Sequence, residues 1–243
     1  AGFNLVCQTE TPGTLFPLAV NEARFDITEL SFASYLVQVA RGESQYIGLP
    51  IFLSRAFRHG AIYVHADSGI KTPKDLQGRI VGVPEYGMTL AVWVRGILAD
   101  EFGVDVDTLK YRTGGLNEPG RVERLKLEIP AHVDLQPLGA SLSLNTAILE
   151  GRLDAIFAPA PPRAFAVGDK RVLRLMDPAG PWEHDYFKRT HIFPPMHILG
   201  IKKTVVAEHP TLPGAVYRLF EEARRRAMAR VKAVAESSAN REM

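Results

Sequence analysis

Short apolar runs alternate with helix-period segments along most of this chain, and a glycine closes most of the helical patterns. Parallel strands with helices crossing between them are the simplest fold that satisfies such a pattern. Residues 25–30 read as a short strand. Behind Ser31, a residue of N-cap type, Phe32, Tyr35, Leu36 and Val39 repeat at i, i+3, i+4 and i+7, and Gly42 stands where the helix should stop. Strands are expected over 46–53 and 61–64, a loop through Pro73, Asp75 and Gly78, and a strand over 79–83. The spacing predicts a helix over 89–102 with Gly103 as its stop. Residues 111–120 read as a Gly-rich connector, 142–150 as a helix ended by Gly151, and 153–158 and 172–176 as strands. A Pro- and aromatic-rich crossing segment over 178–195 leads to a strand over 197–202. A long amphipathic helix over 210–234 follows, with Leu212, Val216, Leu219, Phe220 and Ala223 on one face. The expected fold class is α/β.

Length and composition narrow the function. A chain of 243 residues has room for one large domain or two lobes, each with its own core. The 46% apolar and 23% charged shares are those of an ordinary globular protein. A net charge of +2 argues against a dedicated nucleic-acid surface. Cys7 stands alone, so neither an intrachain disulfide nor a thiolate metal cluster is expected. No apolar run reaches the roughly 18 residues of a membrane span. The chain opens at Ala1 instead of Met. A cytoplasmic location is expected, with the periplasm as the alternative.

The richest chemistry lies in Ser54-Arg55-Ala56-Phe57-Arg58-His59, directly after a strand-like run. Two guanidiniums suit a carboxylate clamp, because each presents a flat fork of donors. His59 carries a proton that can move near neutral pH. The plainer role of such a run is a solvated basic loop. Ligands of open α/β sheets bind beyond the carboxyl ends of strands, where Glu29, Ser31, Glu85, Tyr86 and Thr89 fall. Ser31 and Thr89 also read as helix N-caps, and Ser34, one turn on, as a helix-face residue. Arg95, on an otherwise apolar helix, is a candidate partner for Glu85, and Trp93 a core residue. His197 follows Phe193-Pro194-Pro195-Met196 and is expected near the site. Glu183, His184 and His191 match no compact metal motif, so no metal is expected. Gly114-Gly115 lacks the downstream pattern of a phosphate loop, and no nucleophile elbow is present. No cofactor is expected.

Three runs, taken together in order and spacing, resemble the 4,5-dihydroxyphthalate decarboxylase family. They are Phe25-Asp26-Ile27-Thr28-Glu29-Leu30-Ser31, Val83-Pro84-Glu85-Tyr86-Gly87-Met88-Thr89, and Ile192-Phe193-Pro194-Pro195-Met196-His197. The resemblance implies a two-lobed type 2 periplasmic-binding-protein-like fold with a cleft, lobe 1 comprising residues 1–66 plus 193–243 and lobe 2 residues 67–192. It also implies decarboxylation of 4,5-dihydroxyphthalate to protocatechuate. Direct loss of carbon dioxide from an arene would leave an aryl anion, so the ring carbon is protonated first, helped by the hydroxyl para to it. The site then needs an acid, an acceptor for the phenol and a clamp for the retained carboxylate. His59, His197 and Glu85 are the catalytic candidates. Arg55, Arg58, Glu29, Ser31, Ser34, Tyr86, Thr89 and Arg95 are the candidates for binding. The implied partner is a small aromatic dicarboxylate, and a homo-oligomer is allowed. Gly60, Gly87 and Pro195 depart from the family pattern, and Gly87 is expected to enlarge or loosen the pocket. Family members are expected to continue past this chain at both ends, which predicts exposed apolar surface near Leu5, Val6, Ile27 and the last helix. The alternatives are a solute-binding protein of the same fold, which needs a clamp but no proton donor, and a ligand-sensing regulatory domain, for which no helix-turn-helix is found.

Overall fold

The computed structural model describes residues 3–239. In chain order the elements are α1 (Pro12–Glu22), β1 (Ile27–Ser31), α2 (Phe32–Ala40), β2 (Tyr46–Arg55), β3 (Ile62–His65), β4 (Ile80–Val83), α3 (Thr89–Phe102), β5 (Lys110–Thr113), β6 (Leu135–Pro137), α4 (Leu144–Leu149), β7 (Ala155–Phe157), α5 (Arg163–Ala166), β8 (Val172–Arg174), α6 (Trp182–Thr190), β9 (Pro195–Lys202), α7 (Lys203–Glu208) and α8 (Leu212–Ala239). They form two compact units. One holds the chain up to Leu30, Gln38–Leu53 and the chain from Ile198 onward; the other holds Ser31–Val37 and Ser54–His197. The chain is α/β, with a separate sheet in each unit.

The first unit is built on a three-stranded sheet of order β1-β9-β2. Leu49, Leu199 and Ile201 of the strands pack against Leu212 and Val216 of α8, with Ile27 partly buried alongside. Ile27 thus packs partly buried against this core and is not the exposed apolar position expected of it. Leu5 and Val6 are exposed, as are Leu219, Met228, Val231 and Val234 along α8. The middle strand needs a glycine: a Cβ on Gly200 would lie 2.5 Å from Leu30 Cδ1.

The second unit carries a six-stranded sheet of order β6-β5-β4-β7-β3-β8. β4 runs parallel to β5 and β7, and β5 parallel to β6. β3 is antiparallel to both its neighbours, pairing Tyr63 with Ile156 on one side and with Arg174 on the other. That pairing places residues 62–65 in the second unit. The chain passes between units at 30/31, 37/38, 53/54 and 197/198, where two crossings, near Ala66 and Phe193, were expected. α3 forms as its pattern predicts. Leu90, Ala91, Val94, Ile97 and Leu98 are buried, and Gly103, at φ +59°, lets the N–H of Val104 reach Leu98 O at 3.0 Å. Bare space at Gly82 lets α4 approach β4, since a Cβ there would sit 2.8 Å from Leu144 Cδ2 and Leu153 Cδ1.

Two segments differ from expectation, and α1 is among the elements for which there was none. Residues 110–113 are β5, with Tyr111 fully buried, because the strand is taken up between β4 and β6; the following glycines had made the stretch read as a connector. The 178–195 segment contains α6, whose first turn carries Glu183 and Asp185 and whose last carries Lys188 and Arg189, both favourable to the helix dipole. α1 has Thr11 as its N-cap, accepting from Thr14 N–H, and a proline at its start.

Candidate functional site

The turn between β4 and α3 gathers two carboxylates and three guanidiniums, those of Glu85, Glu123, Arg95, Arg121 and Arg124. Glu85 is buried there at 4% exposure. Its Oε1 accepts from Arg121 through Nε (2.9 Å) and Nη2 (2.5 Å), and from Arg124 through Nε (3.2 Å) and Nη2 (2.6 Å). Its Oε2 accepts from the Arg124 backbone N–H at 3.3 Å. A carboxylate taken out of water needs such charge-assisted partners. The loop that supplies them also brings Glu123, whose carboxylate accepts the N–H groups of Tyr86 and, at 3.4 Å, Gly87. Burial pushes the Glu123 carboxyl above the usual range; the two N–H donors work against that and Glu85 adds to it.

Arg95 is not the partner of Glu85. Its guanidinium lies 3.8 Å from the Tyr86 ring centroid and 5.8 Å from that of Tyr111, and its Nη1 donates to Tyr86 O at 2.8 Å. Burial lowers its pKa, with the Tyr86 and Tyr111 side chains acting in the opposite sense. The loop arginines already occupy Glu85, so Arg95 braces the turn from beneath through a cation–π contact. Gly87 does not loosen the pocket either. A Cβ there would lie 2.7 Å from Leu127 Cδ1, so the side chain of the same loop fills the space.

Ser31, Ser34 and Thr89 come together, all buried. Thr89 is the first residue of α3 and not its cap; Met88 holds the cap position without a side-chain bond. Thr89 Oγ1 instead accepts the Ala33 N–H of α2 at 3.0 Å and lies 3.1 Å from Ser31 Oγ. Ser34 Oγ donates to Ser31 Oγ at 3.2 Å. Thr89 thus satisfies one of the orphan N–H groups at the start of a neighbouring helix. Glu29 is half-buried on β1, in the first unit.

The 54–59 run is not a solvated loop. Arg55 Nη1 donates to Phe193 O at 2.8 Å, Ala56 N–H to Pro194 O at 3.1 Å, and Arg58 Nε lies 3.0 Å from Met196 Sδ. Phe57 stacks on Phe193 with centroids 4.8 Å apart. Burial lowers the Arg58 pKa, opposed by Glu183. His59 is only 2% exposed, with its ring 5.2 Å from that of Tyr186, and His59 Nδ1 has no hydrogen-bond partner among the described residues. Burial lowers its pKa to about 4, and Arg189 adds to the effect. Gly60 is required here, because a Cβ would lie 2.5 Å from Pro178 Cγ. His197 is half-buried in β9, near Pro195, whose carbonyl accepts from Trp93 Nε1 at 3.0 Å. Trp93 is half-buried and not a core residue. Glu183, His184 and His191 go separate ways: Glu183 accepts the Gly60 N–H, His184 lies beside Asp185, and His191 packs on Phe187.

All the expected site residues except Glu29 therefore fall in the second unit. Arg121, Glu123 and Arg124 were missed. They sit in an irregular stretch, 36–39 residues from the turn they hold. The available signal was Arg-Val-Glu-Arg, three charges in four residues within a segment with no helical or strand period.

No family model matches the chain. It is 38% identical over 230 residues to a 4,5-dihydroxyphthalate decarboxylase of Comamonas testosteroni, covering 95% of this chain and 70% of that one. It is 39% identical over 180 residues to one of Pseudomonas putida, covering 74% and 70%. Among solved structures it is similar to the periplasmic aliphatic sulphonate binding protein of Escherichia coli (17% identity, TM-score 0.48), covering 84% of this chain and 57% of that one. It is also similar to the alkanesulfonate-binding protein of Xanthomonas axonopodis pv. citri bound to MOPS (17% identity, TM-score 0.49), covering 87% and 61%. The chain thus spans less than two thirds of those two proteins. With that identity across nearly its whole length and most of the relative's, the chain belongs to the 4,5-dihydroxyphthalate decarboxylase family.

Proposed function

We propose that this chain decarboxylates 4,5-dihydroxyphthalate to 3,4-dihydroxybenzoate. The observation that carries the proposal is the 38% identity to a 4,5-dihydroxyphthalate decarboxylase across 95% of the chain. In the proposed step a proton adds to the ring carbon bearing the departing carboxylate. The bond from that carbon to the carboxylate then breaks, its electron pair returns to the ring, and carbon dioxide leaves. The hydroxyl para to that carbon supplies the electron density.

The residue types support this chemistry. His59 is closed off and, with a pKa of about 4, uncharged at neutral pH, so the proton donor is assigned to the half-buried His197. Glu85 is already engaged by two guanidiniums and is read as an organiser of the turn. Arg55 and Arg58 remain the proposed clamp for the retained carboxylate; to act, they exchange their present contacts on Phe193 and Met196 for the ligand. Tyr86, Arg95 and the Ser31, Ser34 and Thr89 hydroxyls line the proposed binding region within the second unit. No helix among the described residues is long and apolar enough to cross a membrane.

The test is a pair of substrates. The purified chain should release carbon dioxide from 4,5-dihydroxyphthalate and none from phthalate, which lacks the para hydroxyl yet keeps both carboxylates. Binding of both without release from either would overturn the proposal.

A further inference from the structure

The stretch between β5 and β6, residues 114–134, has neither helix nor strand. Loops of this length inside a compact unit are usually functional. Its ends are tied elsewhere, Asn117 and Glu118 to Arg163 and Asp134 to Arg112, while its 121–127 part folds back on the 84–88 turn. Arg121 and Arg124 take Glu85, Leu127 fills the space over Gly87, and Glu123 lays its carboxylate on two consecutive backbone N–H groups, those of Tyr86 and Gly87. Successive N–H groups aimed at one point form an anion-binding concavity. Around it stand three guanidiniums, Arg95, Arg121 and Arg124, against two carboxylates, Glu85 and Glu123. The local charge is balanced for one more anion, or for an exchange of anions.

We propose that the Tyr86 and Gly87 N–H pair is a seat for the carboxylate of an aromatic acid, and that Glu123 occupies it in the ligand-free protein and is displaced when the ligand arrives. This rests on the decarboxylase reading and adds where one substrate carboxylate is held. The exchange is one carboxylate for another, with no covalent step. Burial makes the charged form of Glu123 costly in the seat, so the resident is held less firmly than its two hydrogen bonds suggest. Residues 118–122, just before Glu123, are exposed, so the Glu123 side chain regains water by swinging out of the seat while Arg121 and Arg124 stay on Glu85. Gly120, at φ +86°, gives that stretch a residue free to turn.

Self-occupancy weakens apparent affinity by the fraction of molecules whose seat is free. If Glu123 fills the seat in about nine molecules of ten, releasing it tightens binding about tenfold. Phthalate is titrated calorimetrically at pH 7 into the wild-type chain, Glu123→Gln and Glu123→Asp. Gln removes the competing charge, and Asp is one methylene too short to reach both N–H groups. Both variants should bind phthalate about tenfold tighter, while the affinity for catechol, which has no carboxylate, stays unchanged. Unchanged or weaker phthalate binding in variants whose circular dichroism matches wild type overturns the proposal. So does failure of both variants to fold, which would make Glu123 a structural brace. Turnover of 4,5-dihydroxyphthalate is read alongside. Tighter phthalate binding without carbon dioxide release keeps the seat and removes the decarboxylase reading, and turnover with unchanged phthalate affinity does the reverse.

Discussion

Replacing Arg124 with Met should destabilise the second unit far more than replacing Arg121 with Met, although both guanidiniums bind the same oxygen. The side chain of Glu85 is 5% exposed and that of Arg124 12%, whereas that of Arg121 is 37% exposed. Removing one partner of a buried ion pair costs about 3–5 kcal/mol when the other charge is left alone. Here Arg121 stays on the carboxylate, so the cost of Arg124→Met falls to about 2 kcal/mol, close to one or two charge-assisted hydrogen bonds. Arg121→Met removes the partner with about a third of its side chain in water and leaves Arg124 on the carboxylate, so the loss is smaller, about 0.5 kcal/mol. The two tryptophans, Trp93 and Trp182, both lie in the second unit, so fluorescence during urea unfolding reports that unit alone. With a slope of about 2 kcal/mol per molar urea, the midpoint should fall by about 1 M for Arg124→Met and about 0.25 M for Arg121→Met. In a Glu85→Gln background the difference between the two should shrink, because the shared partner is gone. Equal shifts, or two shifts both below about 0.2 M, would refute the assignment of Glu85 as a buried charge held chiefly by Arg124.

Two further outcomes follow from the imidazoles. His197→Gln should cut turnover by about a hundredfold with substrate affinity within a few-fold, whereas His59→Gln should leave the proton-transfer step in place; the opposite ranking in steady-state kinetics would move the donor to His59. The His59 pKa falls from an ordinary 6.5 to about 4 on folding, so between those values the unfolded chain binds a proton that the folded chain refuses. Its contribution is complete above pH 6.5 and is lost as pH falls toward 4. The urea midpoint should therefore drop less between pH 6.5 and 4.5 in His59→Leu than in wild type, and equal drops would show that His59 is not held neutral by burial.

Regular periodicity decided how much of the fold could be read from the chain. α3 and its Gly103 stop were legible because the apolar spacing runs up to a breaker. β5 was hidden because Gly114 and Gly115 follow it at once, and α6 because its apolar positions are few and prolines flank it. The candidate site divides in the same way. Residues at strand ends, such as Glu85 and Thr89, were visible from topology. Their partners were not, because contacts such as Arg124 with Glu85 or Ser31 with Thr89 join residues 39 and 58 positions apart. The Thr89 hydroxyl reads as a cap for its own helix and in the fold serves another, since strand order, not sequence, sets which helix start it faces.

The most direct test is carbon dioxide itself. Purified protein is incubated with 4,5-dihydroxyphthalate, and the gas and the aromatic product are quantified together. Carbon dioxide and 3,4-dihydroxybenzoate should appear in equal amounts, at a rate proportional to protein. Saturable binding of 4,5-dihydroxyphthalate with no gas and no new catechol would contradict the assignment and leave a binding protein in its place.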